Sequence, residues 1–222
     1  MIRAFRSFLV FALLSLFCLI FLRWSGLLKV QEVKIYPTRY VAVDKLTGRI
    51  LGANILRLDL KPLCEAILRD PRVLHVVTRI DFFHLRVEID VRERYALVPV
   101  GLISGEKFWV DRDGVILELA EEAHVVGAKA QGEGVGREVV EAALAWERLP
   151  RALRERYPVL DLSSGEAVAP GAPALLLGAI CQVPEKLGIL TTLWQEGLLE
   201  GYGFVDLRLR DLVILKRGGL GR

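Results

Sequence analysis

The sequence predicts an α+β protein with one N-terminal transmembrane helix, then a small α+β domain and a second, strand-rich α+β domain. Three observations carry this expectation. The run 8–22 (FLVFALLSLFCLIFL) is fifteen residues with one serine and no charge. Between residues 30 and 94, stretches of period two flank a stretch of helical period. From residue 95 onward, short strand patterns separated by glycine and aspartate turns are joined by two amphipathic helical stretches.

Residues 1–29 are expected to form a short cytoplasmic tail and a transmembrane signal anchor, with Phe8, Leu14, Cys18 and Leu22 in the lipid bilayer. At about 1.5 Å per residue the apolar run spans roughly 22 Å, against a hydrocarbon slab of roughly 30 Å. Arg3 and Arg6 open it, and Arg23 and Trp24 close it. Such flanks lift their charges to the headgroups and extend the run's effective length. A cleaved signal peptide is the rival reading. The run ends in Leu22-Arg23-Trp24-Ser25-Gly26, without the A-x-A pattern of a cleavage site, so an uncleaved anchor is expected. The short tail is then inside the cytoplasm and the body outside the cytoplasmic membrane.

The net charge of +3 is spread over interleaved acidic and basic residues, which excludes the basic stripe of a nucleic-acid binder. Three cysteines (Cys18, Cys64 and Cys181) make no disulfide framework. Cys18 lies in the apolar run and Cys64 on an apolar helical stripe; two buried thiols are expected over a Cys64–Cys181 bridge.

The first domain is expected over 30–94. Residues 30–36 (VQEVKIY) alternate as a strand ended by Pro37, and 41–50 is a short helical candidate. A turn follows at Gly52-Ala53-Asn54-Ile55-Leu56. Asp59 is placed to cap a helix over 60–69, where Leu60, Leu63, Cys64, Ile67 and Leu68 fall on one face and Pro71 stops the element. Strands are expected at 73–80 and 85–92. The second alternates Leu85, Val87, Ile89 and Val91 with Arg86, Glu88, Asp90 and Arg92, so its apolar side needs the helical stripe as cover.

The second domain is expected over 95–217, with a flexible tail at 218–222. Strands are read at 95–100, 107–110 and 115–119, with the turn Asp111-Arg112-Asp113-Gly114 between the last two. Residues 120–136 read as loop. Helices are expected at 137–149 and 184–196, strands at 159–162 and 174–177, and a closing strand pair at 204–209 and 212–216 around an Arg210-Asp211 turn.

No catalytic constellation emerges. His75, His84 and His124 are scattered without metal-ligand spacing. Gly132-Glu133-Gly134-Val135-Gly136 lacks the spacing and the preceding strand of a phosphate loop. Ser104-Gly105-Glu106-Lys107 matches S-x-x-K but sits in an expected hairpin turn with no K-T-G. Asp111 with Asp113, and Glu121 with Glu122, read as turn chemistry and a solvated charge run before acid–base pairs. The stripe Leu187, Leu190, Leu193 and Trp194 reads as core. No cofactor, metal or enzyme activity is expected. The last apolar strand has no later strand to pair with; at a sheet edge its main-chain groups would be open to a partner strand. Pairing inside the sheet, or shielding by Lys216-Arg217, is the competing arrangement.

The order of motifs resembles the bacterial cell-division family FtsQ, also called DivIB. The residues that carry it are Val30-x-x-Val33-x-Ile35, Gly52-x-Asn54-Ile55-Leu56-x-Leu58-Asp59, Pro71-x-Val73, Val91-Arg92-Glu93-Arg94, Val110-Asp111-Arg112-Asp113-Gly114-Val115, Gly178 with Lys186-Leu187, and Phe204-Val205-Asp206-Leu207-Arg208. Phe82-Phe83-His84 occupies a turn where relatives often carry proline, and Leu209 stands where some carry an aromatic. The resemblance implies a POTRA-type domain over 30–94 and an FtsQ-type β domain over 95–217. It implies a non-enzymatic membrane scaffold at the division site, bound to bitopic division proteins of the FtsB/DivIC and FtsL type and to other divisome components. Carried over by position, the partner-binding residues are Val205, Asp206, Leu207, Arg208, Leu209, Arg210, Leu212, Val213, Ile214 and Leu215. Two other classes remain in view: an anchored POTRA-containing chaperone or secretion component, and an envelope enzyme using Ser104 and Lys107.

Overall fold

The computed structural model describes residues 2–24, 27–36, 38–42, 47, 48, 50–171, 173–209 and 212–217. Within the first helix, side chains are described at 8–17 and 20–22. The chain divides into two compact units, Met1–Glu93 and Arg94–Arg222. Half of the predicted helix over 41–50, residues 43–46 and 49, lies outside those described, as do Arg210 and the tail 218–222.

The chain begins with α1 (Ile2–Trp24), a helix built from leucine, phenylalanine and alanine with no proline or glycine to break it. The expected transmembrane anchor is corrected here: among the described residues no helix is long and apolar enough to cross a membrane. The physical reason is length. The uncharged run is closed at both ends by arginine, and its roughly 22 Å falls about a quarter short of the hydrocarbon thickness. Phe8 and Leu14 are exposed on the helix, and Leu22 accepts a hydrogen bond at its carbonyl from Asn54 Nδ2 (3.3 Å). The side chain of Cys18 lies outside those described.

In the first unit, β1 (Glu32–Ile35), α2 (Lys61–Leu68), β2 (Val73–Asp81) and β3 (Arg86–Glu93) follow one another. The sheet order is β1-β3-β2, with β1 parallel and β2 antiparallel to the central β3. Strict alternation in β3 buries Val87, Ile89 and Val91 and turns Arg86, Glu88, Asp90 and Arg92 to the other face. Ile67 of α2 is buried in the same cluster as Val87 and Ile89, so the expected helix-on-strand cover is present. The helix starts one residue later than expected. Leu60 is its N-cap, and Asp59 instead accepts from the Lys61 amide (3.0 Å) through Oδ1.

In the second unit the strands are β4 (Val98–Leu102), β5 (Lys107–Val110), β6 (Ile116–Leu119), β7 (Val125–Ala128), β8 (Ala130–Gln131), β9 (Gly134–Val135), β10 (Leu160–Asp161), β11 (Glu166–Ala169), β12 (Ala174–Ala179), β13 (Tyr202–Asp206) and β14 (Ile214–Arg217). Nine of them form one mixed sheet in the order β14-β13-β12-β11-β10-β7-β4-β5-β6, and β8 pairs with β9 as a separate hairpin. Among the described residues three α-helices accompany them: α3 (Arg137–Glu147), α4 (Arg151–Arg156) and α5 (Val183–Gln195). α3 lies against β4 and β7, α5 against β12, and the two helices against each other. Trp146, Tyr157, Leu160, Leu175, Leu177, Leu190 and Val205 are fully buried between helices and sheet.

Residues 120–136 are not the expected loop. β7 sits mid-sheet between β4 and β10, parallel to both. A four-residue central strand interrupted by Gly127 carries too little period-two signal to be read from sequence. Two thiols were expected to be buried; Cys64 is half-buried, but Cys181 is exposed, and both are free.

Candidate functional site

The expected binding residues belong to the end of the sheet formed by β12, β13 and β14. β13 runs parallel to β12, with Leu175 opposite Val205 and Leu176 opposite Asp206. β14 runs antiparallel to β13, with Val205 opposite Leu215 and Asp206 opposite Ile214. Among the described residues β14 pairs with β13 alone, so one side of its main chain is open. The other end of the sheet differs. The Ile116 amide donates to Glu133 O (3.1 Å) and Val115 bridges Gly134, so the β8–β9 hairpin covers the start of β6.

The hydrogen-bond pattern says which groups face out. Leu207 N donates to Leu176 O (2.8 Å), so the main-chain groups of Val205 and Leu207 point toward β12. By alternation those of Phe204 and Asp206 point toward β14, where they meet Lys216 and Ile214. The N–H and C=O of Leu215 therefore face the open side.

Side chains divide by the same alternation. Val205 and Leu207 are buried in the core and Asp206 is buried in its pair with Arg208, so these three expected binding residues present no free side chain to a partner. Val213 and Leu215 pack partly against that core. Leu209, Leu212 and Ile214 are exposed, and Lys216 and Arg217 are exposed beyond them. Arg210 lies outside the described residues. The open edge is thus apolar at 212 and 214 and basic at 216 and 217.

Two polar contacts hold this end in place. Arg208 makes a forked pair with Asp206, through Nε (3.0 Å) and Nη2 (2.7 Å), and its amide donates to Asp206 Oδ1 (3.0 Å). The hydrogen bonds from Arg208 hold the Asp206 carboxyl below its ordinary value, against the opposing effect of burial. The stem of Arg208 lies over Gly178, whose φ is +84°; a Cβ there would stand 3.1 Å from Arg208 Cγ. The second contact was missed at the sequence level. Lys186 on α5 is 1 % exposed and donates from Nζ to the Leu209 carbonyl (2.9 Å), anchoring the turn between β13 and β14 to the helix. The available signal was its position four residues before Leu190, on the buried stripe.

A pH dependence follows from Asp206. Its folded pKa is below the unfolded one, so the stabilisation is complete above the unfolded value near 4 and is lost as pH falls through the lower folded value. Unfolding of the parent followed by tryptophan fluorescence between pH 5 and 2 should show this acid loss. D206N should show a smaller loss across the same range.

The remaining candidates are dispersed. Ser104 Oγ donates to Glu106 (3.3 Å), whereas Lys107 Nζ reaches the Glu121 carbonyl (3.2 Å). His84 pairs with Asp81, and His124 contacts the Pro158 carbonyl. Among the described residues no three His, Cys, Asp or Glu side chains gather as a metal site. Asp111 is buried and bonded to the amides of Asp113 (2.9 Å) and Val115 (2.8 Å), with Arg94 against it and Asp113. Its work is to hold a turn. The neighbouring Glu93 accepts from the amides of Arg39, Tyr40 and Val41 inside the first unit, so adjacent residues serve different units.

No protein-family model matches the chain, and no curated protein matches it.

Proposed function

We propose that the chain is a scaffold that works by binding, taking an extended segment of a partner protein alongside Ile214–Arg217 as an added strand, in the manner of the cell-division proteins it resembles. The observation that carries this reading is the open side of β14, with the Leu215 N–H and C=O directed away from the sheet. Added strands draw affinity from main-chain hydrogen bonds and specificity from alternate side chains. The exposed pair Leu212 and Ile214 suits apolar partner residues, and Lys216 with Arg217 suits carboxylates on the same strand. The proposed partners are bitopic division proteins of the FtsB/DivIC and FtsL type.

The test is titration of the purified full chain with extended segments of such proteins, read by calorimetry. Saturable one-to-one binding that weakens with salt supports the reading, and depletion from cells should then give unseptated filaments. Capture of many unfolded clients without a preferred partner would place the chain among chaperones instead.

A further inference from the structure

We infer that the hairpin tip carrying Phe82 and Phe83 docks on a lipid bilayer surface. The tip joins β2 to β3, and the backbone that carries its aromatic pair is tied down. Asp81 Oδ1 accepts from the amides of Phe83 (3.0 Å) and His84 (3.1 Å), while Asp81 Oδ2 lies 2.6 Å from His84 Nδ1. Phe83 is 98 % exposed and Phe82 54 %. Both rings therefore stand exposed on an ordered turn, packed on nothing in the unit's core. Contiguous exposed apolar surface marks a place where something apolar is met.

The surroundings of the tip select the occupant. Gln31 N donates to Leu85 O (2.8 Å), Gly52 N to Val30 O (2.9 Å) and Ile55 N to Leu28 O (2.8 Å), so segments 28–31 and 52–55 lie at the same end of the unit as the tip. Leu27 and Leu51, each one residue before those segments, are exposed. Asn54 ties this end to the last turn of α1 through Leu22 O. Along α1 the described side chains Phe8, Leu9, Phe11, Leu14, Phe17 and Phe21 are all half or more exposed. So many exposed apolar side chains call for an apolar cover, and a bilayer surface supplies one without the helix crossing it. The first 29 residues hold Arg3, Arg6, Arg23 and Lys29 and no carboxylate, which suits anionic headgroups, and the carboxylates at the tip end, Asp81 and Glu32, face His84 and Arg86. Aromatic rings next to such a surface settle at headgroup depth.

The test places a fluorophore at the tip. The full-chain variant F83W is mixed with vesicles of phosphatidylcholine and phosphatidylglycerol at three to one, and with matched vesicles whose phosphatidylcholine carries bromine near the headgroup end of its chains. The emission of the parent chain is subtracted in each case. R69W serves as the reference, because Arg69 lies just beyond α2, near where β2 begins at Val73, and β2 runs nine residues from there to the tip. The expected result is at least a twofold loss of the F83W signal in brominated vesicles, with the R69W signal unchanged. Unquenched F83W on vesicle-bound chain overturns the inference, as does equal quenching of both variants or failure of the chain to float with vesicles. Should F83W lose the parent's circular dichroism, F82W is read by the same criteria.

Discussion

Replacing Leu215 by proline should lower the affinity of the proposed partner strand about a hundredfold and leave the second unit folded. The Leu215 N–H faces away from β13, so proline removes no bond of the existing ladder. A partner strand loses one main-chain acceptor bond, worth about 1 kcal/mol net, and meets the pyrrolidine ring where its own carbonyl should approach, which brings the total to roughly 3 kcal/mol. At 1.4 kcal/mol per decade this is on the order of a hundredfold in dissociation constant. The truncated side chain packs only partly against the core, so the cost to stability is about 1–2 kcal/mol. Ile214 is the counter-example: its N–H points at Asp206, so I214P breaks the β13–β14 ladder itself and should lower both stability and binding. Calorimetric titration beside denaturant unfolding separates the two outcomes. Unchanged affinity in folded L215P removes the strand-addition reading.

That distinction could not be drawn from sequence, which left the last strand open to a place at the edge or inside the sheet. The alternation of Leu85, Val87, Ile89 and Val91 and the helical spacing of Leu63, Cys64 and Ile67 specify a half-buried sheet with a helix on one face, and the first unit is built that way. The closing strand pair was legible for the same reason. What was not legible is pairing at long range. β7 lies between β4 and β10, partners that begin some thirty residues away on either side, and four residues around a glycine carry no local trace of that position. The register that aims Leu215 outward depends on Leu207 bonding to Leu176, a contact across thirty-one positions. Val205 and Leu207 were assigned to binding because they belong to a motif, yet the pleat turns both into the core. The apolar run 8–22 misled in the opposite direction: its composition suggested a span, whereas its length between arginines is insufficient for one.

The motif Val110-Asp111-Arg112-Asp113-Gly114-Val115 points to the largest effect on stability, at Gly114. In a free tight turn, alanine at positive φ costs about 1 kcal/mol. Gly105, with φ of +93° and open space around it, represents that case. Gly114 has φ of +87°, but a Cβ there would stand 2.1 Å from the Val135 carbonyl oxygen, which no side-chain adjustment relieves. Val135 N also donates to Gly114 O (2.9 Å), so β9 is bonded to the turn it would have to leave. Moving it disturbs Asp111, whose carboxylate holds the amides of Asp113 and Val115 and faces Arg94. Strain plus displacement puts G114A at about 3–4 kcal/mol, against about 1 kcal/mol for G105A. At roughly 4 °C per kcal/mol for a domain of this size, G114A should melt more than 10 °C below the parent and G105A within about 5 °C. Thermal unfolding followed by circular dichroism decides the matter. Equal melting of the two variants would mean that β9 does not press against this turn, and that the motif's glycine serves the turn's backbone angle alone.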